Sequence, residues 1–547
     1  MLMERASEFR RLRAPQEDGQ KLIDPPWSAL SEVVADNRQR LAQIDVDIQG
    51  RLASDLAATA RHALIQQAAE YTRPYRDVAD RLRNPPAGAP LVLSGHQPQL
   101  FHAGVWYKNF VLGGLARRLG GVGIHLLIDS DLCRSASIRV PTGPRERPRA
   151  LAVPYDEPAA EVPYEERQIR DEATLASFHQ RVAALIQPLV REPLVQSLWP
   201  LVKQRNPSQT NLGLRLAQAR HALEQTWSND TLELPQSAVC QLPEFAWFVC
   251  HILAHLPRFW TAHNDSLAAY RAAHRLRNRA QPVPDLAESD GWLEAPFWIW
   301  SSADPRRRPL FARQAADELQ ITDREAFTIA LPLSADRDAA AAVDTLLELP
   351  SRRIKIRTRA LATTLFARLM LSDVFLHGIG GAKYDQVTDE IARQFFGFEL
   401  PQFATVSATL RLPISHEQTD PLQESQLRQQ AREMRYHPER YVNVNGPLSP
   451  EDARAVAQLI KTKLHWIGTP KTRDNARERH VAITGANQAL QSYLSSVRDN
   501  VERRCEELAE RKRAGGILAS REYSFCLHPR EHFEQLLLDD PPLVPYS

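Results

Sequence analysis

The sequence predicts an α/β fold: a parallel-sheet core with helical insertions, followed by a C-terminal α-helical arm. Three observations predict it. Apolar Leu91-Val-Leu93, a polar turn, a helical pattern from about Gly104 to Leu119 and apolar Gly123-Ile-His-Leu-Leu-Ile128 make a strand–helix–strand unit. Such a unit requires parallel strands and a right-handed crossover. Val374-Phe-Leu-His377 repeats the arrangement, running through a glycine-rich turn into a helical pattern. Beyond Pro413 the chain becomes charged, rich in Gln, Arg and Glu, and helical.

Residues 1–90 are expected to form a helical segment that packs on the core. Residues 1–26 are charged and end in Asp24-Pro-Pro, which reads as a mobile arm that packs late. Ser28 can cap a helix with Glu32 in its first turn. Leu30, Val33, Val34, Leu41, Ile44 and Ile48 then recur at helical spacing, so a helix or helix pair reaches about Tyr75. The Pro/Gly-rich stretch 84–90 breaks it.

The core is expected over 91–413. Ser94 and Gly95 should stop the first strand, and His96, Gln97 and Pro98 should form a turn rich in donors. Lys108 falls in the first turns of the next helix. The second strand runs into Asp129-Ser-Asp131, which puts both carboxylates at the same sheet edge as His96. Open α/β sheets place ligands at that edge, against helix N-termini that favour anions. Stretches 137–140 and 150–155 read as strands around a Pro/Gly/Arg loop. A helical insertion is expected over about 171–280. Its 244–251 run is apolar almost all round and reads as a core helix. His251 and His255 share a helix face but lack a third ligand, so no metal site is expected there.

Stretch 295–300 resumes a strand, and Arg306, Arg307 and Arg308 in the following turn either reach a phosphate or carboxylate or, as is commoner, form a solvated hairpin. Stretch 354–359 alternates apolar and basic residues, so Lys355, Arg357 and Arg359 share one strand face. At the second turn Gly378, Gly380 and Gly381 allow positive φ and close backbone approach. Their N–H groups and the helix N-terminus form an anion cradle, with His377, Lys383 and Asp385 around it. Residues 414–516 form the arm. Leu490, Leu494, Val497, Val501 and Leu508 give it a coiled-coil-like seam, and Gly515-Gly516 should end it. Residues 517–547 return to the core.

Composition narrows the function. A net charge of +2 over 547 residues leaves no domain-wide basic field for nucleic acid. A mean hydropathy of −0.39 and no apolar run of about 20 residues give no membrane span. The opening Met1-Leu-Met-Glu-Arg-Ala has no apolar segment, and the five cysteines are widely spaced, so a cytoplasmic protein with reduced thiols is expected.

Several stretches together resemble one family. Ser94-Gly-His-Gln-Pro-Gln-Leu-Phe with Tyr107-Lys108 is similar to the Gly-Gln-Gln-Pro-Gly-Leu-Phe…Tyr-x-x-x-Lys opening of the bacillithiol-biosynthesis cysteine-adding enzymes (BshC). Arg357-Thr-Arg359, the 378–381 turn, Val406-Ser-Ala-Thr-Leu410 and Ser520-Arg-Glu-Tyr-Ser-Phe-Cys-Leu follow in the family's order and approximate spacing. The resemblance implies a Rossmann-like core, a coiled-coil arm that pairs subunits into a homodimer, and a ligase that joins cysteine to an amino-sugar amine. His96 stands where the family has Gln, and Gln99 where it has Gly. Asp129-Ser-Asp131 replaces an acidic Glu-Asp-His-Asp pattern. His377 and Lys383-Tyr-Asp385 replace a Gly-Glu-containing helix start.

The expected chemistry is amide formation on a small molecule, with ATP or ADP and Mg²⁺ as the possible cofactors. Ser94, Gly95, His96 and Gln97 would contact the nucleotide or acyl oxygen. Lys108, Lys383, Arg357 and Arg359 would neutralise charge. Gly378, Gly380 and Gly381 would cradle an anion, and Asp129 or Asp131 would hold the amine or Mg²⁺. A carboxylate or His377 would take the proton, and Asp385 would help bind the substrate or nucleotide. Two other readings are a metal-dependent hydrolase using His96, His125, Asp129, Asp131 and His377, and a non-catalytic dimeric binding protein.

Overall fold

Strand Leu91–His96 is the centre of the main sheet because its first four residues are all buried, as a strand covered on both faces requires. It extends three residues beyond the expected Leu93. Ser94, Gly95 and His96 lie opposite His125, Leu126 and Leu127 of the parallel strand Val122–Leu127, and that ladder outweighs their polarity. Gly95 suits the position, since an added Cβ would stand 3.2 Å from Ile128 Cδ1 and 3.3 Å from the Leu126 carbonyl. Helix Ala103–Arg118 connects the two strands and is buried over most of its surface.

This computed structural model describes residues 9–204, 209–416, 420–442, 448–539, 541, 543 and 544. It is a mixed α/β structure with two compact units. The first comprises 1–140, 151–413 and 521–547, and the second 141–150 and 414–520.

In the first unit the six-stranded sheet runs Lys21–Asp24, Ala404–Ala408, Val374–His377, Leu91–His96, Val122–Leu127, Leu232–Pro235. The Lys21–Asp24 pairing is antiparallel and the other four are parallel. Two expectations change here. Residues 21–24 are an edge strand rather than part of a late-packing arm; residues 1–8 lie outside the described part. The helical stretch 171–280 also supplies a sheet strand, Leu232–Pro235. Glu233 could be buried there because Arg220 pairs with it and with Glu224. A buried charge survives only when paired in this way.

The helix pair appears as Leu30–Ala42 and Ala53–Thr72. Ser28 does not cap it; the short 3₁₀ turn Trp27–Ala29 leads straight in. Strand Ile354–Thr358 belongs to a second, antiparallel sheet with Trp292–Ser301, Asp304–Ala315, Glu318–Thr322 and Thr328–Leu331. Ser137–Thr142 and Arg149–Pro154 form a two-stranded sheet.

The second unit carries helices Pro421–Tyr436, Pro450–Gly468, Ala476–Gln491 and Ser495–Leu518. A 3₁₀ turn at Ser492–Leu494 interrupts the expected long helix. Gly515 and Gly516 lie inside the last helix rather than ending it. Leu490 and Leu494 pack with Val442 and Val456 of the same chain. Val501 and Leu508 are also buried, and Val497 half-buried. Leu490 and Leu494 of this seam thus pack within one chain. Among the described residues no helix is long and apolar enough to cross a membrane.

Candidate active site

Strands Leu91–His96 and Val374–His377 are neighbours, with Ser94 opposite Leu376. Their carboxyl ends therefore deliver His96 and His377 to one place. A cavity of about 760 Å³ opens there, lined by His96, Gln97, Lys108, His377, Gly380 and Asp385 among others. The two turns singled out in the sequence meet in this cavity.

The second turn differs from its expected form. Gly378 is the N-cap of helix Ile379–Phe395, with φ −76°, and Gly380 and Gly381 lie in the first helical turn. None of the three has positive φ. Their use is space. A Cβ at Gly378 or Gly380 would meet nothing within 4 Å, whereas one at Gly381 would stand 2.7 Å from His377 Nδ1. Gly381 makes room for the histidine ring, and the other two leave the helix N-terminus open to the cavity.

His377 Nε2 bonds Asp385 Oδ2 at 2.7 Å, and Arg368 Nη1 donates to the same oxygen at 2.8 Å. Arg368 and His377 outweigh burial and hold the Asp385 carboxyl well below its usual range. Burial is the largest influence on His377 and lowers it despite Asp385, so its ring is neutral near pH 7. The dyad is a neutral imidazole fixed by a carboxylate, the arrangement of a general base.

Lys108 is 1% exposed. Its Nζ donates to the Gly95 carbonyl at 2.7 Å, and among the described residues no carboxylate pairs with it. Burial, then the Arg220 charge, brings its ammonium down to about 7. His96 falls to about 3 through burial and then Lys108. A folded-state pKa below the usual 10.5 means charging Lys108 costs stability below about pH 7, a cost that disappears as pH rises toward 10.5. Lys108→Met should therefore raise stability at pH 6 by about 1–3 kcal/mol, the gain from replacing a buried charge with an apolar side chain. The gain should shrink by pH 10, as read by urea denaturation at both pH values.

Asp131 lines the cavity. Its carboxylate accepts from Gln97 Nε2 at 2.8 Å and from Arg307 Nη1 at 3.1 Å. Asp129, two residues earlier, does not line it. It is buried and accepts from the Ser237 N–H and hydroxyl. Burial and then Glu165 push it up to about 7. The turn rotates the two carboxylates apart, so they do not act as a pair.

Ser94, Lys355, Arg357, Lys383 and His125 also lie off the cavity lining. Ser94 Oγ donates to the Leu376 carbonyl. Arg357 and Lys355 both pair with Glu165. Lys383 is on the second turn of its helix, where its charge reaches His274. His125 is buried beside Glu233. Arg359 does line the cavity, pairing with Glu294 and lying 4.0 Å over the Trp298 ring. Of the residues named for a hydrolase, His96, Asp131 and His377 line the cavity, and His125 and Asp129 do not. Among the described residues no three His, Cys, Asp or Glu side chains form a metal-holding group.

The sequence reading missed several lining residues. Arg307, read as part of a solvated hairpin, lies over Trp298 at 4.3 Å and reaches Asp131. Arg521 and Glu522 line the cavity from the segment that follows the arm. Their signal was position, just after the arm gives way to an apolar, aromatic stretch.

No family model matches the chain, and no curated protein matches it in sequence.

Proposed function

We propose that the cavity is the active site of an amide-forming enzyme of the BshC kind. It joins an amino acid, cysteine by resemblance, to an amino-sugar-type amine, with nucleotide bound. The observation that carries this reading is the meeting of His96 and His377 from turns far apart in the chain. Four consecutive parallel pairings support a Rossmann-like core beneath it.

In this reading His377, fixed by Asp385, takes a proton from the substrate's ammonium and so frees the amine whose lone pair attacks the acyl carbon. Lys108 gains its full charge when an anionic group arrives and faces the oxygen on which charge develops. The open N-terminus of helix Ile379–Phe395 favours phosphate or carboxylate. His96 and Gln97 contact the nucleotide or acyl oxygen, and Asp131 holds the amine. Lys383, Asp129, Ser94 and Arg357 have no part in it.

The test is thermal and chemical unfolding with ATP or ADP, each with Mg²⁺. Ligand at 100 times its Kd should add about 2.7 kcal/mol. His377→Asn should keep that gain and lose turnover of cysteine and amine. No gain with any nucleotide would sink the nucleotide-dependent part of the reading.

A further inference from the structure

Lys108 is a primary amine at the wall of a cavity; among the described residues it has one hydrogen bond, to a backbone carbonyl, and no carboxylate to hold its proton. A lysine kept only for an ion pair would face an acid. A lysine kept only for packing would not line an open space. His96 and His377 line the same cavity, and the Lys108 charge reaches both rings. One nitrogen of His377 is committed to Asp385, while the other faces Gly381. The first turn of helix Ile379–Phe395 is open beside it, because Gly378 and Gly380 put no side chain there.

We propose that Lys108 forms a covalent imine with an α-oxo acid bound in this cavity. Its amine is desolvated and can be neutral near pH 7, as a nucleophilic lysine must be. The Nζ lone pair adds to the ligand's carbonyl carbon. A C–N bond forms, the C=O π bond breaks, and one proton passes from nitrogen to oxygen to give a carbinolamine. His377 relays that proton. Protonation of the hydroxyl and loss of water then leave a C=N bond, with no change in oxidation state. The ligand's carboxylate sits at the open N-terminus of helix Ile379–Phe395, where backbone N–H groups favour an anion. This activity goes beyond the amide-forming reading, which uses Lys108 as a cation instead of a neutral amine.

The experiment is borohydride trapping on the full chain. The protein is incubated with pyruvate or with propanal, which lacks the carboxylate, then reduced, digested and mapped by mass spectrometry. The expected result is one reduced adduct per chain, on Lys108. Its yield should be severalfold higher with pyruvate than with propanal, and should fall as pH drops below 7. Lys108→Arg should abolish the adduct, and Lys383→Ala should leave it unchanged. The peptide map of the unsubstituted protein gives the answer even where a variant fails to fold. Absence of a Lys108 adduct, or labelling spread over surface lysines with no excess at Lys108, overturns the proposal. Equal yields with pyruvate and propanal overturn it as well, because the carboxylate would then have no site. Nucleotide-induced stabilisation is a separate measurement, so failure of one idea leaves the other standing.

Discussion

The folded protein should lose stability steeply as pH falls from about 6.5 to about 4, well before most carboxylates protonate. The cause is a set of buried histidines. Burial lowers His96, His251 and His528 to about 3 and His263 to about 4, and His125 and His221 fall well below their usual 6.5. A lowered folded pKa makes the unfolded chain bind the proton first. The stability is therefore complete above pH 6.5 and drains away below it. Each such histidine removes about 1.4 kcal/mol per pH unit across its window. A protein of ordinary stability, about 5–15 kcal/mol, cannot withstand several of these for two pH units. Asp129, pushed up to about 7, Asp389, pushed up to about 6, and Glu233, also raised by burial, work in the opposite direction but are three groups against six. Urea denaturation midpoints at successive pH values check this; a flat profile between pH 7 and 5 would contradict it.

Asp385→Ala should cost about 3–5 kcal/mol, the range for removing one partner of a buried ion pair. Asp385 is 1% exposed and answers two buried donors at once, Arg368 and His377. Without it the Arg368 guanidinium, also 1% exposed, keeps Asp389 and the Pro401 carbonyl but loses its innermost counter-charge. His377 loses the bond that fixes its ring. Asp385→Asn retains the shape and should cost less, yet it should still reduce turnover, because an amide stabilises an imidazolium poorly. Denaturant midpoints and activity of both variants, side by side, separate the structural from the chemical share. Equal stability of Asp385→Ala and the parent chain would refute the account.

Both halves of the site were legible because each apolar strand runs into a polar or glycine-bearing turn: His96-Gln97 in one case, His377-Gly378 in the other. The details around them were not. Asp129 and Asp131 look equivalent in one dimension. Only the turn that hands Asp129 to Ser237 and Asp131 to Gln97 and Arg307 distinguishes them. Arg307 reads like its solvated neighbours until Trp298 is placed beneath it. Strand Leu232–Pro235 was hidden by Glu233, whose burial depends on an arginine in the preceding helix. Lys21–Asp24 was hidden by its charges and the prolines after it. Its strand character comes from Ala404–Ala408, at the far end of the sheet-forming part of the sequence. The glycines of the second turn, expected to serve through positive φ, have ordinary backbone angles and leave the helix N-terminus open instead.

That sheet order also sets a timetable for biosynthesis. Leu91–His96 needs Val374–His377 beside it, and Lys21–Asp24 needs Ala404–Ala408. At about 5–20 residues per second on the ribosome, the central strand waits on the order of tens of seconds for its neighbour to emerge. Throughout that interval one apolar edge is uncovered on the nascent chain, where holdase chaperones would have their work.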